Sequence, residues 1–314
     1  MTNFNLKLID PCGNEHEHYI KIHRELFNSA SIDDHWIEWY FSKLVKSDSR
    51  LNCTRTYGLY DNLRLIGIWS VEPKIMRNNN NELIKVGRCF AVGISSDYRR
   101  LGLFTSLSEF AIASEREIAE YEYIIGFPQT GRSVVGGHLK AGWEEVLYND
   151  IYSIDLGCND GVFYRKDVKN VLDFSQIDTP LSKSNSFDEP ALYRNTRFLD
   201  HPKLQYLVYY HGDAHIVLKP YSLFCHILEV QGSLHNVIQL IEVSKTVCKR
   251  HGLIELNAWN NPNYFFSDAL KYCGFSIGAQ HGLPITIIAV KINAKVKLQI
   301  DNTFNFAMGV EEGY

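Results

Sequence analysis

The sequence predicts a mixed α/β (α+β) fold in two tandem domains, each a mixed twisted sheet flanked by helices. Three observations predict it. Gly87–Phe104 reads as a strand, a tight basic turn and a helix start, and the helix-forming run Thr105–Ala119 follows. Tyr123–Trp143 reads as an apolar strand, a turn, a helix and an Ala-Gly-Trp ending, and Leu253–Phe275 repeats that outline with Gly274 in place of Gly142. Two hairpin signals, Tyr57–Ile68 and Tyr206–Leu218, stand at matching places in the two halves.

The elements follow in order. Asp33–Leu44 is an aromatic-rich helix ahead of the first hairpin, whose turn falls at Asp61-Asn62. A third-strand run covers Leu65–Val71 and closes at Glu72, before Pro73. Asn78–Asn81 is a polar loop between strands, and Arg88–Ile94 is the next strand. The span Gly157–Glu189, rich in Asp, Asn, Ser and Lys, is the inter-domain connection. Ala191–Phe198 is the helix before the second hairpin, which turns at Gly212-Asp213. Leu223–Val230 is extended. Ser233–His251 is an amphipathic helix with Ser233 as N-cap and Val237, Leu240, Ile241 and Val247 on its apolar side. The division is therefore 1–157, a linker 158–190, and 191–314.

The turn at Arg99-Arg100-Leu101-Gly102-Leu103-Phe104 has the makings of an anion site. N–H groups at a helix start lack intrahelical acceptors, and the macrodipole favours negative charge there. Gly102 has no Cβ and lets a guest approach the backbone. This stretch resembles the pyrophosphate loop of the GNAT N-acyltransferases, Gln/Arg-x-x-Gly-x-Gly/Ala, with Arg99 first, Gly102 fourth and Phe104 where Gly or Ala is usual. Gly142-Trp143 resemble the Gly-aromatic end of the element after that family's fifth strand, and His138 stands at its phenol position.

The resemblance implies coenzyme A or acyl-CoA as co-substrate. It implies contacts from Val92, Gly93, Ile94, Arg99, Arg100, Leu101, Gly102, Leu103, Phe104, Thr105 and Phe127. It also implies a bulge in the fourth strand that turns an N–H toward the thioester carbonyl, and a splay between Arg88–Ile94 and Tyr123–Phe127 for pantetheine. The second half lacks Arg-x-x-Gly; its junction reads Gln231-Gly232-Ser233-Leu234-His235, so it is expected to be a degenerate copy without a coenzyme site.

Direct attack by an amine needs a proton acceptor. His138 is the first candidate and Glu72 the second, with a turn residue as the alternative for Glu72. Arg88–Ile94 carries no acid, and Cys89 is expected to be a small buried residue rather than a nucleophile. His35, Trp36 and Trp39 are candidates to face the acceptor; Trp36, Tyr40 and Leu44 also fall at helical spacing, which fits a core stripe equally. Asn261 offers an amide from the second half, or simply forms the turn. No residues are assigned to a metal.

The resemblance to bacterial surface-polysaccharide enzymes implies an amino-sugar nucleotide acceptor, such as a dTDP-linked aminodideoxyhexose, and an acetyl or short hydroxyacyl donor. The alternatives are a non-catalytic acyl-CoA-binding regulator and an aminoacyltransferase of the peptidoglycan-bridge type. A net charge of −4 over 314 residues argues against general nucleic-acid binding. No apolar run is long enough for a membrane span, and the start lacks signal-peptide character, so a cytoplasmic setting is expected. The seven cysteines include no CxxC pair and are expected as reduced thiols. Oligomeric state has no signature in the sequence.

Overall fold

A computed structural model describes residues 4–28, 32–77, 82–157, 168–177, 186–260 and 265–293. In the first half, β1 (Phe4–Ile9), α1 (His16–Phe27) and α2 (Asp34–Glu38) come first. A π-helical turn, Trp39–Leu44, continues α2. Then follow β2 (Arg55–Asp61), β3 (Arg64–Arg77), β4 (Leu83–Ile94), α3 (Leu103–Ile118), β5 (Tyr123–Gly126), α4 (Ser133–Lys140) and β6 (Glu144–Asp155). Two short strands, β7 (Lys169–Asn170) and β8 (Ser186–Phe187), lie in the expected linker and pair with strands of different halves. The second half has α5 (Ala191–Arg194), a π-helical turn Asn195–Leu199, β9 (Leu207–His211), β10 (Ala214–Tyr221), β11 (Phe224–Gln231), α6 (Leu234–Arg250), β12 (Glu255–Asn260), α7 (Phe265–Tyr272), β13 (Ser276–Ile277) and β14 (Ile285–Lys291).

The mixed α/β class is what the sequence predicts. The strands join one fourteen-stranded sheet whose main path runs β1-β2-β3-β4-β5-β14-β6-β12-β11-β10-β9-β7. The halves exchange strands. β14, last in sequence, lies antiparallel between β5 and β6. The far end of β6 leaves that neighbourhood and pairs with β12, from Asp150↔Asn260 to Asp155↔Glu255. One core is accordingly shared: Met76, Ile84 and Val86 belong to the same buried cluster as Val208, Val217, Leu228 and Trp259.

Local chemistry sets several boundaries. α3 buries Leu103, Leu107, Ala111 and Glu115 at spacing four, so one stripe faces the sheet. Glu115 is a charge in that stripe; it is neutralised by Arg55, whose Nε and Nη2 lie 2.7 and 2.6 Å from its two oxygens, and accepts from Tyr57 Oη at 2.7 Å. α4 ends where Gly142 adopts a left-handed φ of 85°, with Gly142 N donating to Leu139 O and Trp143 N to His138 O. α7 ends identically at Gly274, with Gly274 N on Lys271 O and Phe275 N on Leu270 O. The sequence repeat is thus a repeat of one helix cap.

Three expectations shift. The first hairpin turns at Asn62-Leu63, one residue later, with Asn62 at positive φ. β3 continues through Pro73 to Arg77; β2 has already ended at Arg55↔Val71, so one flank of Pro73 is free of that ladder. Ser233 stands at the N-cap of α6, but its hydroxyl makes no capping bond. The Asn78–Asn81 loop lies outside the described residues. No described helix is long and apolar enough to cross a membrane.

A chain truncated before Ile285 should lose cooperative unfolding, because β5 and β6 then lack the strand between them. Circular dichroism through a urea gradient checks this; an intact, cooperative transition in the truncated chain would show that β14 is dispensable.

Candidate functional site

β4 and β5 pair in parallel at only three positions, Val86↔Tyr123, Gly87↔Ile124 and Arg88↔Ile125. Beyond Arg88 the strands separate. β4 carries a bulge in the separated part: Phe90 is opposite Ser70 and Gly93 opposite Ile68, which leaves Ala91 and Val92 against Trp69 alone. Ala91 takes a positive φ of 45°, the backbone signature of the irregularity. The expected bulge and splay are both present, the bulge at Ala91-Val92. Gly93 lies under Leu26 of α1, whose Cδ1 would be 3.1 Å from an added Cβ. Phe127 is buried just past β5.

After Ile94 the chain makes a 3-10 turn, Ser96–Tyr98, pinned by Tyr98 Oη on Asp61 at 2.8 Å and by Ser95 Oγ on Glu25. Arg99 Nε donates to Ile94 O at 3.2 Å, which leaves the rest of an exposed guanidinium outward. Arg100 and Gly102 both have left-handed φ, 65° and 77°. Alternation of this kind turns successive N–H groups to one side. The first helical bond of α3 is Ser106 N to Gly102 O; the N–H groups of Arg100 through Thr105 have no backbone acceptor among the described residues, and no side chain caps the helix. A Cβ on Gly102 would meet nothing within 4 Å. Leu101 and Gly102 are exposed, Leu103 is buried, and Phe104 and Thr105 are half-buried. Phe104 sits in the first turn of α3, and its ring packs on Gly137, where an added Cβ would come within 2.6 Å. Gly is therefore not required at position 104; the small residue stands across the contact, on α4.

The candidate bases are placed differently from expectation. His138 is 3 % exposed, with its ring edge-on to Trp143 at 4.6 Å and Phe104 at 5.0 Å. Burial pushes its pKa down to about 3, so it is neutral at neutral pH and a poor proton acceptor. Its Nδ1 has no hydrogen-bond partner among the described residues. Glu72 is neither a turn residue nor a free base. It lies in mid-strand opposite Arg88, whose Nε donates to it at 2.7 Å. Lys74 Nζ is 3.2 Å away, Tyr193 Oη donates at 2.7 Å and Tyr40 Oη at 3.1 Å. Burial opposes the charge on Glu72, but Arg88, Lys74, Tyr193 and Arg197 outweigh it and hold the carboxyl far below its ordinary range. Glu189, bonded to both Lys74 and Arg197, extends this cluster to the second half. The cluster was missed in the sequence because its members are spread from residue 40 to residue 197.

The aromatic candidates belong to the core. Trp36 stacks on Tyr40 at 4.8 Å, and Trp39 donates from Nε1 to Thr196 O. Both are buried, which resolves the stripe in favour of packing. His35 is exposed. Asn261 lies outside the described residues. Cys89 is buried, and burial pushes its thiol pKa well up, against a nucleophilic role.

The second half repeats part of this architecture. β11 and β12 pair in parallel at three positions, Phe224↔Glu255 to His226↔Asn257. β11 has an irregularity at Leu228, skipped between Glu229 and Ile227 in the register with β10. Its helix start, however, is closed from within. Asp213, at the hairpin tip, accepts Ser233 N at 3.1 Å, Ser233 Oγ at 2.8 Å and Asn236 Nδ2 at 2.7 Å. A carboxylate of the chain sits where the first half offers bare amides.

No family model matches the chain, and no curated protein matches it. Solved structures do. A conserved Enterococcus faecalis protein described as a probable N-acyltransferase superposes with TM-score 0.65 at 13 % identity, over 93 % of this chain and 73 % of its own. A GCN5-related N-acetyltransferase from Anabaena variabilis gives TM-score 0.62 at 13 % identity, over 92 % and 73 %. Another from Kribbella flavida gives 0.63 at 11 %, over 91 % and 71 %. At such identities the likeness is one of fold: this chain has the fold of GCN5-related N-acetyltransferases.

Glu72→Gln should destabilise the protein by about 3–5 kcal/mol, since it removes the carboxylate charge that offsets buried Arg88 and Lys74. The folded-state pKa lies below the ordinary value of 4.5, so the carboxylate's contribution is fully present above 4.5 and is lost as pH falls from there through the depressed folded-state value. Urea midpoints between neutral and acid pH should therefore fall less steeply in Glu72→Gln than in the parent; equal slopes would remove the cluster from this role.

Proposed function

We propose that this protein is an acyl-CoA-dependent N-acyltransferase. The observation that supports it most is the run of unsatisfied amides from Arg100 to Thr105, placed at the end of a bulged strand that has parted from its neighbour. Six N–H groups without acceptors among the described residues, two of them displayed by left-handed residues, suit a diphosphate. Arg99 and Arg100 add positive charge beside it. The opening between β4 and β5 suits an extended thiol arm, with Val92, Gly93 and Ile94 on one side and Phe127 on the other. Acyl-CoA would supply the activated thioester. The bulge at Ala91-Val92 would offer an N–H to the thioester carbonyl, and the half-closed setting makes such a donor effective.

The proton has no dedicated acceptor in this reading. Glu72 is engaged by cations, and the neutral imidazole of His138 is a weak base. The amine therefore arrives already neutral, and His138 serves as an uncharged ring packed between Phe104 and Trp143. The acceptor we favour is an amino-sugar nucleotide, such as a dTDP-linked aminodideoxyhexose, and the acyl group is acetyl or a short hydroxyacyl. Support for that acceptor is the sequence resemblance alone. The same lack of a free base favours a second reading, an acyl-CoA-binding regulator without turnover.

Thiol release from acetyl-CoA with a panel of amino sugars separates the two. Release with any acceptor supports the enzyme; binding of coenzyme A with no release supports the regulator. Gly102→Val, which strains a left-handed residue by about 1 kcal/mol, should raise the KM for acetyl-CoA about fivefold or more with little change in kcat. The pH limb of kcat/KM should follow the amine of the acceptor and persist in His138→Asn. A limb that vanishes in His138→Asn would return the histidine to acid–base work.

A further inference from the structure

The second half closes its own helix start with Asp213, yet it reaches the groove of the first half through Tyr193. Tyr193, in α5, is buried in the same apolar cluster as Tyr40, Phe90 and Ala91. Its hydroxyl donates to Glu72 Oε1 at 2.7 Å and accepts from Lys74 Nζ. The other oxygen of Glu72 faces the first half. Oε2 accepts from Arg88 Nε at 2.7 Å and from Tyr40 Oη at 3.1 Å, and Arg88 Nη2 donates to Tyr40 Oη at 2.6 Å. Hydrogen bonds to an ionised group are the short and strong ones, so each partner is held in a definite place. One carboxylate thus ties α5, β3, β4 and the first π-helical turn together.

From Tyr40 the contacts run on to the bulge. The Tyr40 ring lies 4.9 Å from that of Phe90, and the Arg88 guanidinium lies 5.5 Å over the same ring. Phe90 is the last residue of β4 paired with β3 before Ala91 and Val92, which share Trp69 across the ladder. Regular pairing therefore does not fix these two peptides. Their direction follows from the residues that flank them: Phe90, held by Tyr40 and Arg88, and Gly93, which lies under Leu26. At a reacting centre a misplacement of about 1 Å can cost about a hundredfold in rate.

We propose that Tyr193 is a positioning residue. Through its hydroxyl, Glu72, Arg88 and Tyr40, the second half sets the place of Phe90 and with it the aim of the Ala91 and Val92 N–H groups. The use of those groups on a thioester carbonyl rests on the acyltransferase reading; their coupling to Tyr193 does not.

The test uses the full chain. Tyr193→Phe removes the hydroxyl and keeps the ring. Ile216→Val, which trims the other core of the second half, is the control for lost stability alone. In the isotope-labelled protein without ligand, Tyr193→Phe should move the amide chemical shifts of Ala91 and Val92, and Ile216→Val should leave them in place. Tyr40→Phe breaks the same line one link on and should move them too, so the test does not hang on one variant's folding. With acetyl-CoA and an accepted amine, Tyr193→Phe should lower kcat about tenfold or more and keep the KM for acetyl-CoA within about twofold, since the amides at the start of α3 are untouched. Three results overturn the proposal: Ala91 and Val92 stay in place in both tyrosine variants, they move as far in Ile216→Val, or Tyr193→Phe raises KM with kcat unchanged. If the two amides move while the parent releases no thiol with any amine, the coupling stands and the acyltransferase reading falls.

Discussion

The parting of β4 from β5 after Arg88↔Ile125 is the constraint on which the candidate site depends. Parallel strands that stay paired leave no room for a guest between them. The bulge at Ala91-Val92 bends β4 away on one side of the gap, and β14 holds β5 on the other. Just where pairing stops, Glu72 and Arg88 close the joint with a buried ion pair. Such a pair adds little net stability, but removal of one partner is expensive, so it fixes the register at that point. The groove is therefore framed by both halves: its floor is local, while one wall is braced by the last strand of the chain.

The two halves show what a single carboxylate changes. Both have a parallel pair that stops after three positions, an irregular strand, and a helix that begins beside it. In the first half the helix start faces open space at Gly102. In the second, Gly232 is pressed against the hairpin, with an added Cβ only 2.4 Å from Ala214, and Asp213 takes the amide and hydroxyl of Ser233. The helix dipole is answered internally there, which leaves no reason for an outside anion to bind. The expectation of a degenerate second copy rested on the missing arginines; the geometry adds Asp213, a carboxylate standing where an anionic guest would bind.

Local signals were legible and distant ones were not. The caps at Gly142 and Gly274, the hairpin at Gly212-Asp213, and the strand, turn and helix around Arg99–Gly102 all depend on neighbours in sequence. Glu72 looked like a turn residue because Pro73 follows it; besides Lys74 on its own strand, its partners come from three other elements, which no local pattern reveals. His138 sat at the expected place in the chain, but its enclosure by Phe104 and Trp143 is a tertiary fact, and enclosure sets its protonation. Strand exchange was likewise unreadable, since β14 has the same apolar character whichever sheet receives it.

The central claim is that the amides at the start of α3 hold the diphosphate of a thioester carrier. Amide chemical shifts of the isotope-labelled protein, titrated with coenzyme A to millimolar concentration, test it most directly. The account predicts that the largest changes fall on Arg100 through Thr105, with Gly232 through Asn236 unmoved. Changes centred on the start of α6, or none at all, would contradict it.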